Sequence, residues 1–118
     1  MNFETLRACC LDKPGTTEGT PFGEGVVVFS VMGKMFALTP PEAIPLSINL
    51  KCDPGLAVEL RDRYEAVRPG YHMNKKHWNT IILDGTISQR EIFEMIDNSY
   101  RLVVRTLKKP ERTALEGM

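Results

Sequence analysis

The sequence predicts one α+β domain, with a four-stranded antiparallel sheet and three helices in the order α-β-β-β-α-β-α. Three stretches place apolar residues at helical spacing, and four short stretches are β-branched or alternate between apolar and polar residues. The composition is that of a folded domain, because 42% of the 118 residues are hydrophobic and 25% are charged. We therefore expect residues 1–118 to form a single domain, with helices on one side of the sheet and the other side partly open to solvent.

The first helix is predicted at the amino terminus. Asn2 supplies a capping side chain, and Phe3, Leu6 and Cys10 follow at helical spacing. The sequence Lys-Pro-Gly at 13–15 ends this helix. Residues 15–25 are rich in glycine, threonine and proline, so we expect a loop there.

A β-hairpin is predicted next. Residues 26–32 are β-branched and aromatic, which favours a strand, and residues 35–39 form the returning strand. Gly33 and Lys34 are expected to make the turn, with Gly33 at the position of a type II′ turn that requires a positive φ. Pro40 then ends the second strand, because proline cannot donate to a strand ladder.

A third strand and a second helix follow. Residues 47–52 alternate, with apolar side chains facing one way and Ser, Asn and Lys facing the other, which predicts a half-buried strand. Asp53 followed by Pro54 is typical of a helix start, since an acidic cap precedes proline at the first helical position. The sequence Arg-Pro-Gly at 68–70 is expected to end this helix.

The carboxy-terminal part begins with a polar loop at 71–77 and a fourth strand at 78–83. Residues 88–91, Ser-Gln-Arg-Glu, form a capping box that opens the longest helix. Pro110 is expected to end it and to leave 111–118 as a frayed tail. The apolar stripe of this helix comprises Ile92, Ile96, Ser99, Val103 and Leu107.

Charge and cysteine content restrict the function classes. The formal net charge is zero, so binding to nucleic acid would depend on a local patch rather than on the field of the whole protein. Cys9, Cys10 and Cys52 are odd in number and form no CxxC pair, which argues against a disulfide framework and favours a reducing cytoplasm. The amino terminus lacks the apolar core of a signal peptide, and no apolar run approaches the ~20 residues that span a bilayer. We expect a cytoplasmic protein without membrane contact.

No catalytic or metal centre is predicted. His72 and His77 are the only histidines, and their spacing is no metal signature without carboxylates nearby. The adjacent Cys9 and Cys10 lie on an amphipathic helix, where core packing is the expected role. The glycine-rich segment 15–25 lacks the Lys-Ser/Thr ending of a phosphate-binding loop and is not followed by a helix. We therefore expect no metal, no cofactor and no enzymatic activity.

Three stretches resemble the MmcQ/YjbR family: the Lys-Pro-Gly of 13–15 with the Pro-Phe-Gly of 21–23, the hairpin VVVFSVMGKMFAL at 26–38, and RPGYHMNKKHWNTIILDG at 68–85. The resemblance implies a CyaY-like α+β fold, also described as a double wing, and it implies DNA binding by analogy of fold. Ser30 departs from the family pattern, because many relatives carry a lysine at this point of the first strand.

The loop before the fourth strand is the candidate nucleic-acid site. Its lysines and arginine can neutralise phosphates, its asparagine can bond phosphates or base edges, and its aromatic residues can stack on bases. The candidate residues are Arg68, His72, Asn74, Lys75, Lys76 and Trp78, with Lys34 and Lys51 assisting. The alternative interpretation is structural: Asn74 would bond loop amides, Trp78 would pack at the strand entrance, and the lysines would be solvated.

Two further surfaces are considered: a basic stripe on the last helix and an apolar surface near the hairpin. A basic stripe of Arg101, Arg105, Lys108 and Arg112 on the last helix is interpreted as a solvated helix face. A protein-interaction or chaperone-like role is the alternative function, and its apolar contact surface would lie on the open sheet face near the hairpin. The residues of that surface are Phe22, Met32, Met35 and Phe36. The expected partners are therefore DNA or another protein, and we expect a monomer.

Overall fold

The structure is a computed structural model, and it describes residues 1–70 and 73–118. Within these residues it contains one six-stranded antiparallel sheet and four helices. The strands are β1 (Thr16–Gly19), β2 (Val27–Val31), β3 (Lys34–Thr39), β4 (Ser47–Lys51), β5 (Val67–Pro69) and β6 (Trp78–Ile82). The helices are α1 (Phe3–Leu11), α2 (Pro54–Arg63), α3 (Gln89–Arg105) and α4 (Lys109–Glu116). The strand order across the sheet is β1-β2-β3-β4-β6-β5.

The prediction of a four-stranded sheet with three helices was wrong, although the α+β class holds. The order α-β-β-β-α-β-α becomes α-β-β-β-β-α-β-β-α-α, because β1, β5 and α4 were not foreseen. Each of the three additional elements is short, and each depends on contacts with residues distant in the chain.

The strand β1 lies inside the segment 15–25 that was predicted to be a loop. Its sequence, Thr-Thr-Glu-Gly, has no apolar alternation, and its regular conformation comes from antiparallel pairing with β2 at the sheet edge. Glu18 is also fixed from the other side, because the Nε of Arg7 on α1 donates to it at 2.9 Å.

The strand β5 lies where the second helix was expected to continue. The helix α2 ends at Arg63, since Tyr64 adopts an extended conformation with φ −125° and ψ 124°. Val67 then pairs with Ile81 of β6, and β5 stops at Pro69 after three residues. The segment 68–70 therefore ends an edge strand rather than a helix.

The helix α4 occupies most of the tail that was expected to fray. Pro110 lies in its first turn, where the missing N–H costs nothing, instead of ending α3. The helix docks through Leu115, which is buried against the main core. The docking site includes Gly15, whose φ is +71° and where a Cβ atom would lie 2.4 Å from the Cδ2 of Leu115.

The turn between β2 and β3 is shifted by one residue from its predicted position. Met32 and Gly33 are its central residues, with φ of 49° and 79°, because β3 already begins at Lys34. Positive φ at both central positions defines a type I′ turn, not the expected type II′ turn.

The predicted helix starts are confirmed. The Oδ1 of Asn2 accepts from the Thr5 amide at 2.9 Å, and the Oγ of Ser88 accepts from the Glu91 amide at 3.2 Å. The five residues of the predicted stripe, Ile92 to Leu107, are all buried, but Leu107 lies just after α3, which ends at Arg105. These caps and this stripe depend on residues close together in the sequence, which explains why they could be predicted without knowledge of the fold.

The main core lies on one side of the sheet, which we call the helix face. Phe29 and Leu50 of the sheet pack there with Leu6 of α1 and Ile96 of α3. Residues of α2 and α4 join the same cluster, so the four described helices all lie on this side. In the described residues, no helix combines the length and apolar character needed to cross a membrane.

In the part of the chain that the structure describes, no helix lies on the opposite side of the sheet, and we call this side the open face. Val28, Leu38 and Trp78 form a second, smaller cluster there, with Met35 and Met73 packed at its margin. The side chains packed at the margin of this cluster come from strands and loops rather than from helices.

Candidate nucleic-acid interface

Two cross-strand pairs bring predicted site residues to the open face. Lys51 of β4 lies opposite Trp78 of β6, and Arg68 of β5 lies opposite Thr80 of β6. Directly opposed residues of an antiparallel pair project from the same face, so Lys51 shares the open face with Trp78. Thr80 follows Trp78 by two residues and also faces this way, which places Arg68 there too. The two cations therefore flank β6 on the open face.

The turn that enters β6 carries Lys75 and Lys76, and both residues are exposed. Its geometry is held by Asn74, whose Oδ1 accepts from the Lys76 amide at 2.9 Å. The Asn74 carbonyl also accepts from the amides of His77 and Trp78, at 3.1 and 2.9 Å. The side-chain oxygen of Asn74 thus shapes the loop, as the structural interpretation expected, and it holds the two lysines at the start of β6.

Trp78 is 9% exposed and packs as a core residue. Its partners in the open-face cluster are Val28 and Leu38, and Met73 of the preceding loop packs against the same cluster. The backbone at Gly70 passes so close that a Cβ there would lie 3.1 Å from the Cβ of Trp78. Trp78 therefore anchors the loop to the sheet, and its position does not suit the stacking of bases that the sequence suggested.

The charge of Arg68 is partly balanced by a carboxylate. The Thr86 hydroxyl, which donates to Asp84 at 2.6 Å, lowers the pKa of that carboxyl, and the Arg68 guanidinium adds to the same effect. Arg68 and Asp84 are thus electrostatic neighbours at the β5 edge. The positive character of the surface is correspondingly weaker at Arg68 than at the loop lysines.

Lys34 is directed to the helix face, away from the other predicted site residues. Its Nζ donates to the Thr106 carbonyl at 3.1 Å and lies 3.3 Å from the Thr106 hydroxyl. Thr106 is the residue that ends α3, so the lysine places a positive charge at the negative end of this helix. The hairpin tip is therefore attached to α3 instead of extending as a free arm.

The predicted set is brought together only in part. Lys51 and Arg68 share the open face on either side of β6, and Lys75 and Lys76 lie in the turn that enters β6; we refer to these four residues as the basic surface. His72 lies outside the described residues. The open-face polar residues Asn49 and Thr80, whose side chains are hydrogen-bonded to each other between Lys51 and Arg68, were not predicted as site residues. The alternation of β4 and β6 is the signal that would have identified them.

The basic stripe predicted on the last helix is interrupted. Arg101 and Arg105 belong to α3, whereas Lys108 precedes α4, and Arg112 belongs to α4. Arg101 is paired with Asp97 at 2.6 Å. The four cations therefore do not form one continuous helix face.

The apolar surface of the alternative function is mostly buried. Phe36 is fully buried in the main core, Met32 packs against that core, and Met35 packs against the open-face cluster. Phe22 alone of the four is largely exposed, at 65%. An adaptable apolar contact surface near the hairpin is thus reduced to a single side chain on the β1–β2 loop.

These features define a class: a small α+β protein with helices on one side of an antiparallel sheet and the cations Lys51 and Arg68 on the other side. The family model YjbR matches residues 11–102, and the chain belongs to the YjbR family. This confirms the resemblance seen in the sequence.

Relatives match over nearly the whole chain. The protein is 31% identical over 115 residues to Uncharacterized protein YjbR of Escherichia coli K12, covering 98% of each chain. It is 36% identical over 110 residues to Uncharacterized protein YbdF of E. coli O157:H7, covering 92% of this chain and 89% of the relative.

Solved structures show the same fold. The crystal structure of Deinococcus radiodurans protein DR2400, of family-model domain DUF419, has a TM-score of 0.91 at 39% identity and covers 98% of this chain and 88% of that one. A crystal structure of a Pseudomonas syringae protein has a TM-score of 0.74 at 31% identity, and the match covers 86% of this chain and 98% of that one.

Proposed function

We propose that this protein is a non-enzymatic nucleic-acid-binding protein that contacts the phosphates of DNA through the basic surface. The observation that supports it most is the pairing of Lys51 with Trp78 and of Arg68 with Thr80, which puts cations on both sides of β6 on the open face. Lys75 and Lys76 extend this positive surface from the adjoining turn. Four cations from three separate segments thus lie near one strand end.

The chemistry of the basic surface favours the phosphate backbone over the bases. Lysine and arginine side chains neutralise phosphates without reading sequence. Trp78 is buried, and the side-chain oxygen of Asn74 is engaged within its loop, so neither suits recognition of a base. If all four cations engage phosphates, the logarithm of the affinity falls with the logarithm of the salt concentration at a slope of about −3 to −4. The carboxylate of Asp84 beside Arg68 favours the shallower end of that range.

A fluorescence-anisotropy titration with a labelled duplex, repeated at several salt concentrations, tests the proposal. The wild type is expected to bind at low salt and to show the slope just given. The Lys75→Ala/Lys76→Ala variant is expected to bind more weakly, with a slope shallower by about 2, because two phosphate contacts are lost.

The matched control is Arg105→Ala/Arg112→Ala, which removes the same net charge at exposed positions on α3 and α4. Its affinity and salt slope are expected to stay close to those of the wild type. Absence of binding at the lowest salt would overturn the proposal. Equal weakening in both double variants would also overturn it, because it would show attraction by net charge alone.

A further inference from the structure

A groove between α2 and α3 opens on the helix layer. It encloses about 310 Å³, which is at the lower end of the ~300–1,000 Å³ typical of small-molecule sites. Its lining includes Leu56, Leu60 and Tyr64 on one side and Glu91, Met95 and Asn98 on the other.

The floor of the groove is apolar and continuous with the main core. Leu60 and Met95 are partly buried and pack against that core, and so does the ring of Tyr64. A ligand with an apolar body could replace water on these side chains, and burial of that area would contribute to its affinity. The floor is formed by two helices of the scaffold, so it is positioned by the fold rather than by a loop.

One polar pair stands in the groove. The Tyr64 hydroxyl donates to the Oε2 of Glu91 at 2.6 Å. The same hydrogen bond raises the pKa of Tyr64, so the phenol stays a neutral donor at physiological pH. An ionised carboxylate has about four lone-pair sites, and this bond uses only one of them. Glu91 is thus oriented by a neutral partner and keeps the capacity to accept further hydrogen bonds.

The other charged side chains that line the groove, Arg63 and Glu94, each have an ion-pair partner outside it, and Arg63 also opposes the rise in the pKa of Tyr64 through its hydrogen bond and charge. Arg63 is paired with Glu59 at 2.8 Å, and Glu94 with Arg90 at 3.5 Å. The guanidinium of Arg63 also lies over the Tyr64 ring, 5.8 Å from its centroid. Within residues 1–70 and 73–118, no cation forms an ion pair with Glu91.

We infer that this groove binds a small organic cation, namely a protonated primary amine on a short apolar body. The ammonium group would donate to Glu91, and the apolar body would lie on Leu60 and Met95. A carboxylate fixed at the edge of an apolar floor matches this pattern of charge and surface. Of the charged side chains that line the groove, the cation Arg63 is paired with Glu59, whereas an anionic ligand of the same shape would meet Glu91 and Glu94 unfavourably. The residues that line the groove are not those of the basic surface, so variants can test the two sites separately.

The inference is tested by titrating the ¹⁵N-labelled protein with hexylammonium, and with hexanoate as a probe of equal length and opposite charge. Saturable shifts are expected for hexylammonium at the amides of α2 and α3 that line the groove, including the Asn98 side chain. Hexanoate is expected to cause none. No saturable shift with hexylammonium, or equal shifts with both probes, would overturn the inference.

Three variants test the residues: two lie in the groove and one is a control on α4. Glu91→Gln is expected to weaken hexylammonium binding about ten-fold or more, since it removes the charge at nearly constant shape. Glu116→Gln on α4 removes the same charge at an exposed, distant position and should leave binding unchanged. Tyr64→Phe keeps the floor and the Glu91 charge, so it should retain the preference for the ammonium probe. Undiminished binding in a folded Glu91→Gln protein would count against the site. Unchanged DNA titrations for Glu91→Gln keep this test distinct from that of the proposed function.

Discussion

Ser99 of α3, on the helix face of the sheet, binds the backbone of Lys51, whose side chain lies on the open face. The Ser99 hydroxyl accepts from the Lys51 amide at 2.9 Å and donates to the Phe36 carbonyl at 2.6 Å. The strands β3 and β4 pair directly at Ala37–Leu50 and at Leu38–Asn49, so the serine bridges the position where the ladder would continue. A helix side chain thus completes the sheet directly behind one residue of the basic surface.

Ser99→Ala is expected to lower the free energy of unfolding by about 2–4 kcal/mol, because two buried backbone groups lose their partner. Urea denaturation measures this loss. Ser88→Ala, on the same helix but at its exposed cap, is the matched control and should cost about 1 kcal/mol. In NMR spectra of Ser99→Ala, the chemical shift of the Lys51 amide should be among those that change most. A cost no larger than that of the control would show that the bridge does not stabilise the sheet.

Lys34→Ala separates a structural role from a DNA-binding role for the hairpin tip. Since Lys34 bonds the last turn of α3, its loss is expected to cost about 0.5–1 kcal/mol of stability and to leave DNA affinity nearly unchanged. Lys51→Ala should show the reverse, with weaker DNA binding and little change in stability. Thermal melts and anisotropy titrations of both variants provide the comparison, and a loss of affinity in Lys34→Ala as large as in Lys51→Ala would contradict it.

Gly15→Ala is expected to undock α4. The added Cβ meets the Cδ2 of Leu115, and the positive φ adds strain, so a loss of about 1–3 kcal/mol or more is expected. Gly33→Ala is the control for strain alone, because its φ is also positive and no atom lies within 4 Å of the added Cβ. In a Leu115→Ala background the cost of Gly15→Ala should be smaller, which a double-mutant cycle measures. Strictly additive costs would mean that the two residues do not compete for this space.

The buried thiols are expected to make the protein less stable as the pH rises into the alkaline range. Burial raises the pKa of Cys10 to about 12 and that of Cys52 to about 11, from an ordinary value of 9.0. The folded state therefore retains the thiol protons more strongly than the unfolded state. The associated stabilisation is fully present below pH 9 and is lost as the pH rises from there toward 11 and 12.

Urea denaturation at a series of pH values from 8 upward is expected to show this decline. One thiol contributes at most about 1.4 kcal/mol per pH unit. Cys10→Ala should lower stability at every pH because of the cavity it leaves, but its decline above pH 9 should be less steep than that of the wild type. Parallel curves for the two proteins would argue against a buried, protonated Cys10.

The elements that could be predicted from the sequence are those whose own residues carry a cap or an apolar periodicity. The caps at Asn2 and Ser88 and the apolar stripe of α3 are such signals, and each was found where expected. The strand β1 carries no such local signal, because its polar residues form a strand only by pairing with β2. Val67 continued the helical spacing of α2, and only its pairing with Ile81 shows that it belongs to a strand.

The candidate site was predictable to a similar degree. Lys75 and Lys76 are adjacent in sequence, so their proximity required no fold. The approach of Lys51 and Arg68 depends on the register of three strands, which the chain composition does not specify. The direction of Lys34 toward the helix face was not predicted, because its contact with Thr106 spans 72 residues of sequence.

The two margins of the sheet resist the addition of further strands. One margin is β5, which is only three residues long and ends in a proline that cannot donate. The other is the four-residue β1, which bears a charged glutamate. Short margins with proline or charge are how natural sheets avoid edge-to-edge aggregation and growth into fibrils. The chain is therefore expected to stay dispersed at high concentration, and any partner would have to approach a face of the sheet or a helix rather than extend its ladder.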